Sequence, residues 1–375
     1  MNAPHRPGQA VVIDLLRGSD DDPGGRQGLA ALVARMLASS AREGAARTAA
    51  DRGWRTRHQL EANRSSFAFW SADDDVQEAV AAMATGGSLR TRADELLLAQ
   101  SRAAQLALAA QRAGNIFVQL GRASQEAAWG RPEPAALGDP SSIEGIPADE
   151  VFEEMARVTG RLEVHRPEPD DGAQRASRPT ESVRDRRWQG GFAQVRTETD
   201  ATRLSVRVPC ADPPTGALEV LVEVLGTGPE GRLYRALRGD RGLAYGFSAG
   251  LWSQDGRAGL TATASVRAED VGTVAPLLLD ALRGVLAEPV GRDEFAAAAR
   301  RCRARLLTSL DDPFAAVDET RRAALGRPLI GDLAAALERL GPPTGLGGAS
   351  GRPAVAVVGP ERAGRELAEA TRDWV

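Results

Sequence analysis

The chain repeats one order of predicted elements at an offset of about 190 to 200 residues, which indicates two copies of one fold. In the first half, a strand at residues 11–16 leads through an acidic, glycine-containing turn into an apolar helix at residues 27–39. In the second half, a strand at residues 204–208 leads through a proline-containing turn into a helix at residues 217–225. A duplicated architecture follows from this shared order.

Two further pairs of segments keep the same order. Residues 66–83 predict an alternating strand followed by an acidic helix start, and residues 260–282 repeat that pattern. Residues 92–96 and 291–295 each open a long alanine-rich helix with acidic side chains near the positive end of its dipole. Strands and helices mixed without strict alternation predict two homologous α+β domains, each a mostly antiparallel sheet with helices on one face.

Composition places the boundary between the two predicted domains. Residues 163–187 are rich in Pro, Asp, Arg and Ser and nearly empty of large apolar residues, which predicts a linker. The predicted domains are therefore residues 1–162 and 188–375, and residues 353–360 predict a buried closing strand for the second.

The overall composition is that of a globular protein, with 42% hydrophobic residues and a formal net charge of -4. Because the net charge is negative, the composition does not predict a basic surface for binding nucleic acid. All 47 basic residues are arginine, a bias typical of a high-GC bacterial genome. Cys210 and Cys302 lie too far apart to suggest a disulfide framework, and no long apolar segment indicates export or membrane insertion. We therefore expect a cytoplasmic bacterial protein with neither nucleic-acid nor membrane partners.

The segment EGRLYRALRGDRGLAYGFS, residues 230–248, places Arg238 in the last turn of a predicted helix and Tyr245 at the start of the next strand. Held on either side of a tight turn at Gly242, the two side chains can converge on one peptide carbonyl and stabilise a developing oxyanion. The alternative is that Arg238 caps the helix C-terminus while Tyr245 packs under the sheet with its hydroxyl hydrogen-bonded.

Three segments carry a resemblance to a known family: GSDDDPGGRQGLAALVARMLA (residues 18–38), WGRPEPAALGDPSSIEGIPADEV (residues 129–151) and VLGTGPEGRLYRALRGDRGLAYGF (residues 224–247). Together they resemble the insulinase/pitrilysin metallopeptidases, the inverzincins, and in particular their two-domain bacterial members. The resemblance covers nearly the whole chain. It implies the fold of the mitochondrial processing peptidase-like metallohydrolases.

The zinc motif of that family is missing here. Aligned on its flanking residues, the His-x-x-Glu-His positions fall on Ala31, Ala34 and Arg35. Alanine offers no lone pair and arginine is a permanent cation, so these residues can neither bind zinc nor activate a bound water. The third family ligand, an acid on a helix about 75 residues farther on, also has no counterpart, because the acids of residues 93–112 stand only at the helix start.

No replacement zinc site is predicted. The chain has three histidines, and they are isolated from one another in sequence: His5, His58 and His165. We therefore expect no metal and no cofactor in this chain.

A glycine-rich loop precedes the Arg238 helix. Gly226, Gly228 and Gly231 superficially mimic a phosphate-binding loop, but Arg232 replaces its lysine and Leu233 its Mg²⁺-binding hydroxyl. The family resemblance implies that these glycines lie close to a substrate passage. The alternative is a helix C-cap and turn.

The resemblance implies a zinc-less subunit of a heterodimeric metallopeptidase. A homologous partner carrying His-x-x-Glu-His would supply zinc and the activated water, and Arg238 and Tyr245 would grip the peptide substrate and stabilise the oxyanion. The isolated chain is predicted to be inactive. Leader processing of a peptide natural product is one implied role, and the alternative is an inactive structural, assembly or peptide-binding homologue.

Overall fold

The computed structural model divides the chain into two compact units, each built from three segments of sequence. The first unit comprises Met1–Arg112, Pro134–Glu181 and Thr308–Ile330, and the second comprises Ala113–Glu133, Ser182–Leu307 and Gly331–Val375. The residues that the structure describes are 9–41, 53–61, 64–72, 76, 80–81, 92–130, 136–166, 187–198, 202–210, 216–226, 228–239, 242–254, 257–324, 328–342 and 350–374.

Within these ranges the strands are β1 (Gln9–Leu15), β2 (Arg55–Leu60), β3 (Ser65–Ser71), β4 (Leu162–His165), β5 (Gly191–Arg196), β6 (Thr202–Cys210), β7 (Gly246–Gln254), β8 (Arg257–Val266) and β9 (Ala354–Gly359). The helices are α1 (Leu29–Ala41), α2 (Arg92–Ala113), α3 (Ile116–Trp129), α4 (Pro140–Glu144), α5 (Ala148–Thr159), α6 (Ala217–Leu225), α7 (Arg232–Leu237), α8 (Val271–Ala287), α9 (Arg292–Ser309), α10 (Ala315–Ala324), α11 (Ile330–Arg339) and α12 (Glu361–Ala370).

The first unit is built on an antiparallel sheet with strand order β2-β3-β1-β4. Alternate residues of β1 point to opposite faces, as the period of two requires. Val11 and Ile13 pack with α1 and α5 in one core, whereas Val12 packs with Val317 of α10 on the other face. Both faces of β1 are therefore covered, which explains its nearly continuous apolar sequence.

The second unit is built on a five-stranded sheet with order β5-β9-β6-β8-β7. All its pairs are antiparallel except β5 with β9. One face packs against α6 and α8, and the other packs against α3 through Leu120 and Ala123. The predicted closing strand is β9, which is fully buried in the interior of the sheet.

These sheets confirm the predicted α+β class with mostly antiparallel pairing. They also carry a feature that the sequence did not predict: in each unit the second sheet face is covered by a helix from the opposite half of the chain. Helix α10 belongs to the first unit and α3 to the second.

The linker predicted at residues 163–187 starts too early. Glu163 and His165 belong to β4, which pairs with β1, because alternating side chains of this short strand reach the first core. Residues 167–186 and most of the helix predicted after residue 72 lie outside the described residues. In the part of the chain that the structure describes, no helix has the length and apolar character needed to cross a bilayer.

Candidate functional site

The start of α1 is held by a buried carboxylate. Asp22 accepts hydrogen bonds from the backbone N–H groups of Gly28 at 2.7 Å and Ala30 at 2.8 Å, so it satisfies donors that a helix N-terminus leaves without partners. Burial raises the pKa of Asp22 to about 6, although both hydrogen bonds act to lower it. This carboxyl group fixes where α1 begins.

A close backbone approach also fixes α1. Gly28 has φ +97°, and a Cβ placed on it would lie 2.3 Å from the carbonyl oxygen of Leu137. The buried Gln105 side chain of α2 joins the same two segments, because its Nε2 donates to the carbonyls of Gly28 at 2.9 Å and Leu137 at 2.8 Å. Gly28, the first residue of the Gly-Leu-Ala start in the family resemblance, is therefore required for the start of this helix independently of zinc.

We expect Gly28→Ala to lower the free energy of unfolding of the first unit by about 2 kcal/mol, because it adds a steric clash to the strain of a positive φ. Gly25→Ala is the matched control: Gly25 has φ +76°, but an added Cβ would meet nothing within 4 Å. That control should cost only about 1 kcal/mol. Denaturant unfolding measures both, and equal losses would show that the close approach to Leu137 contributes nothing.

The three zinc-motif positions of α1 differ in how far they are buried. Ala34 is completely buried in the first core, and Ala31 is nearly so. Arg35 lies one turn after Ala31 on the same helical face and lines an open cavity of about 690 Å³. Two of the three positions thus meet at one cavity, and neither can bind a metal.

The cavity next to α1, hereafter the α1 cavity, lies wholly within the first unit. It is lined by residues of α1, β2, β3 and α2, by the residue directly after β2 and by two residues before α4: Ala31, Arg35, Ala38, Ser39, Thr56, Arg57, His58, Gln59, Leu60, Glu61, Phe67, Ala68, Phe69, Leu108, Arg112, Ala136 and Leu137. Sequence reasoning missed Arg112. It lies in the last turn of α2, the helix on which the family's third zinc ligand would stand, and it adds a third arginine to Arg35 and Arg57 in the cavity lining.

His58 packs against an aromatic ring of the neighbouring strand. It stands on β2 opposite Phe67 of β3, and the two rings stack with centroids 4.4 Å apart. Burial, and then the positive charge of Arg35, lower the pKa of His58. A neutral imidazole can therefore donate one hydrogen bond and accept another at the α1 cavity.

His165 also has neighbours that the sequence did not reveal. Ligand atoms of Asp14, Glu163 and His165 lie within 4.8 Å of one another, close enough to share a metal ion. However, Asp14 Oδ2 already lies 3.2 Å from Arg64 and 2.9 Å from Arg321. Two permanent cations would repel a metal, so we interpret this group as a buried ion cluster.

The Arg238 and Tyr245 side chains are both exposed in the second unit. Arg238 is the C-cap residue of α7, with its backbone N–H bonded to Tyr234 O, and Tyr245 immediately precedes β7. The turn between them contains Gly242 at φ +58°. Tyr245 is 75% exposed, so it does not pack under the sheet. It lines a cavity of about 580 Å³ together with Arg203 and other residues of the same unit.

The glycine-rich loop folds back on itself. Gly226 ends α6, with φ +36° and its N–H bonded to Val222 O, and a Cβ on Gly231 would lie 2.3 Å from the carbonyl oxygen of Gly226. These positions need glycine for the turn, as the C-cap alternative predicts. Substrate binding by Gly226, Gly228 and Gly231 remains a prediction.

The residues after this loop do not form a phosphate site. Arg232 makes two hydrogen bonds to Glu294 of α9, at 3.0 and 2.8 Å, and Leu233 is completely buried. The guanidinium group of Arg232 is therefore paired with a carboxylate. In a phosphate-binding loop, the lysine at this position would instead contact the phosphate.

Comparisons with known proteins agree with this geometry. Residues 143–302 match the family model described as the peptidase M16 inactive domain. The chain is similar in structure to a chain of complex III2 from Candida albicans with Inz-5 bound, with a TM-score of 0.69 and 13% identity over 97% of this chain and 95% of that one. It is also similar to the peptidase M16 inactive domain from Pseudomonas fluorescens, with a TM-score of 0.64 and 18% identity over 94% and 93% of the two chains. No curated protein matches the chain in sequence.

Fold and site together define a two-unit α+β protein whose α1 carries none of the residues that zinc requires. The structural likenesses, at 13% and 18% identity, establish the fold, and the family model adds the relationship in sequence. The predicted resemblance to the M16 family, that of insulinase and pitrilysin, is supported over residues 143–302, which match its inactive-domain model.

Proposed function

We propose that this chain is the substrate-gripping subunit of a heterodimeric zinc endopeptidase. A homologous partner with an intact His-x-x-Glu-His helix would supply the zinc and the activated water. Arg238 and Tyr245 of this chain would bind the scissile region of a peptide and donate hydrogen bonds to the oxyanion. We place the pair in the bacterial cytoplasm and include the leader of a peptide natural product among its substrates.

The exposure of Tyr245 is the observation that carries this proposal. A buried tyrosine usually has its hydroxyl hydrogen-bonded within the protein. Tyr245, in contrast, is 75% exposed. The chain has two tyrosines, and the other, Tyr234, packs edge-on against Phe247 with ring centroids 6.3 Å apart. One tyrosine thus serves packing, whereas Tyr245 is available to a substrate.

The loss of zinc-binding residues supports the need for a partner. Ala31, Ala34 and Arg35 occupy the motif on α1, and Arg112 adds a positive charge to the same cavity. Rebuilding one histidine would not restore a site, because zinc catalysis requires three protein ligands and an activated water. Peptide cleavage by such a chain requires a metal supplied from elsewhere.

The test is reconstitution with a His-x-x-Glu-His homologue encoded in an adjacent reading frame. We expect the two chains to copurify, the partner to bind one zinc ion, and only the mixture to cleave an unfolded peptide. Metal analysis and a fluorogenic peptide assay measure these outcomes. Stoichiometric zinc binding and peptide cleavage by this chain alone would overturn the proposal.

A second candidate function is assembly without catalysis, favoured by the structural likeness to a chain of complex III2, which is a multisubunit complex. An assembly subunit would copurify with a partner but would need neither Arg238 nor Tyr245. Variants at these two positions separate the candidates, because only the peptidase subunit loses its rate when they are changed.

A further inference from the structure

A partly buried arginine shares the cavity that Tyr245 lines. This cavity of about 580 Å³, hereafter the Tyr245 cavity, is lined by Tyr245, by residues of β6 and β8 and by the three residues after β8, all within the second unit. Arg203 of β6 faces Ser265 of β8, and the carbonyl oxygen of Ser265 accepts a hydrogen bond of 2.9 Å from the backbone N–H of Tyr245. Two strand spacings, roughly 10 Å, therefore separate the backbones of Arg203 and Tyr245.

The positive charge of this cavity that has no counter-charge belongs to Arg203. The other charged residues that line it are Arg267 and Glu269. Arg267 Nε lies 2.7 Å from Asp270 Oδ2 and 3.7 Å from Glu269 Oε1, so carboxylates already balance its charge. Within the described part of the chain, no carboxylate acts on Arg203 in this way.

An aromatic ring holds the Arg203 guanidinium in place. Its Cζ lies 3.6 Å from the centroid of the Phe117 ring of α3, in a cation–π contact. A phenylalanine ring has no oxygen or nitrogen that could accept a hydrogen bond, so this contact leaves the guanidinium donors available to a ligand. The contact therefore positions the cation without neutralising it.

Arg203 also lacks part of its hydration. Burial lowers the pKa of Arg203, because a charge drawn from water without a counter-charge is disfavoured, although arginine stays protonated at neutral pH. A bound anion would supply the missing counter-charge. Carboxylate suits a guanidinium best in a peptide, because its two oxygens match the planar fork of donors.

We infer that the Tyr245 cavity selects peptides that carry an aspartate or glutamate side chain, whose carboxylate pairs with Arg203. The inference rests on the proposed function, because its ligand is the peptide that Tyr245 grips. An extended peptide advances about 3.3 Å per residue, so the acidic residue stands within about three residues of the carbonyl bound by Tyr245. Arg203 is thus a specificity-determining residue for acidic peptides.

Calorimetric titration of the full chain with two matched peptides tests the inference. Both are octapeptides with an acetylated N-terminus and an amidated C-terminus, neutral except that one has a central glutamate where the other has glutamine. The side chain is then the only carboxylate. We expect the glutamate peptide to bind about tenfold more tightly, because it adds one charge-assisted contact. Equal affinity for the two peptides would overturn the inference.

Variants of Arg203 locate the contact. Arg203→Gln should abolish the tenfold preference, and Arg203→Glu should reverse it, so that a peptide with a central arginine binds more tightly than the glutamate peptide. A purely structural role for Arg203 would weaken all the peptides alike. Arg257→Gln is the matched control, because Arg257 is an exposed arginine at the opposite end of β8 and should leave the preference unchanged. Equal loss of preference in Arg203→Gln and Arg257→Gln would show general attraction to the surface and overturn the assignment.

Cleavage by the reconstituted pair separates this inference from the proposed function. If the pair cleaves peptides but the chain binds the glutamate and glutamine peptides equally, the inference is overturned and the peptidase function stands. If the pair cleaves no peptide but the chain prefers glutamate through Arg203, the peptidase function fails and the Tyr245 cavity is supported as a binding site for acidic peptides.

Discussion

Tyr245→Phe is expected to lower the kcat of the reconstituted peptidase about 100-fold, because it removes a neutral donor to the oxyanion and keeps the ring. The effect should fall on kcat more than on KM, since the donor acts most strongly in the transition state. Steady-state cleavage of a fluorogenic peptide by the assembled pair measures both parameters. Arg238→Ala should produce a loss of similar size, because it removes the charged donor.

Tyr234→Phe is the control for this experiment. It makes the same chemical change, loss of one tyrosine hydroxyl, in the neighbouring helix α7, where the ring packs against Phe247. We expect the rate of the pair to be unchanged. If Tyr245→Phe is as active as Tyr234→Phe, Tyr245 does not stabilise the transition state, and the assembly function becomes the better account.

Local sequence signals predicted most elements of the fold. The strand and helix pattern placed α6 at its observed bounds, and the alternation in residues 260–266 predicted part of β8. Gly242, predicted to lie in a turn, has the positive φ that favours glycine. These features depend on interactions between residues that are near in sequence, so they can be predicted from a single sequence.

Features that depend on distant residues could not be predicted. Helix α10 looks like an ordinary charged helix in the sequence, yet it covers the second face of a sheet whose first strand lies about 300 residues earlier. Arg112 likewise showed no signal of its own, because only the fold brings the end of α2 to the cavity beside Arg35. For the same reason His58 and His165 seemed isolated in sequence although both have charged neighbours in space.

Asp14 shows how the chain fixes α10 in the first unit. It is a carboxylate inside the apolar strand β1, with none of its surface exposed. Its Oδ2 lies 3.2 Å from Arg64 and 2.9 Å from Arg321 of α10, which is separated from it by 307 positions in sequence. The side chain of Arg64 is only 3% exposed. A charge so deeply buried is tolerated only when it is paired, so this cluster specifies where α10 docks.

Asp14→Asn should lower the free energy of unfolding of the first unit by about 3 kcal/mol, because it removes the fully buried anion of Arg64 and Arg321 and leaves them only the 40% exposed carboxylate of Glu61. Hydrogen exchange of the β1 amides, read by mass spectrometry, measures the loss for this unit alone. Asp318→Asn is the matched control. Its carboxylate pairs with Arg57, but the two side chains are 34% and 31% exposed, so we expect a loss below about 1 kcal/mol.

The pH dependence of the free energy of unfolding distinguishes loss of the Asp14 charge from a change in packing. Burial raises the pKa of Asp14, but the hydrogen-bonding groups of His165 and Ser66 and the charge of Arg321 outweigh burial and hold the pKa at about 2, below its ordinary value of 3.8. A lowered pKa stabilises the fold above pH 3.8, and this contribution is lost as the pH falls through 2. The difference between wild type and Asp14→Asn should therefore shrink by about 2 kcal/mol between pH 5 and pH 2. A difference that stays constant over this range would mean that the Asp14 charge does not hold α10 in place.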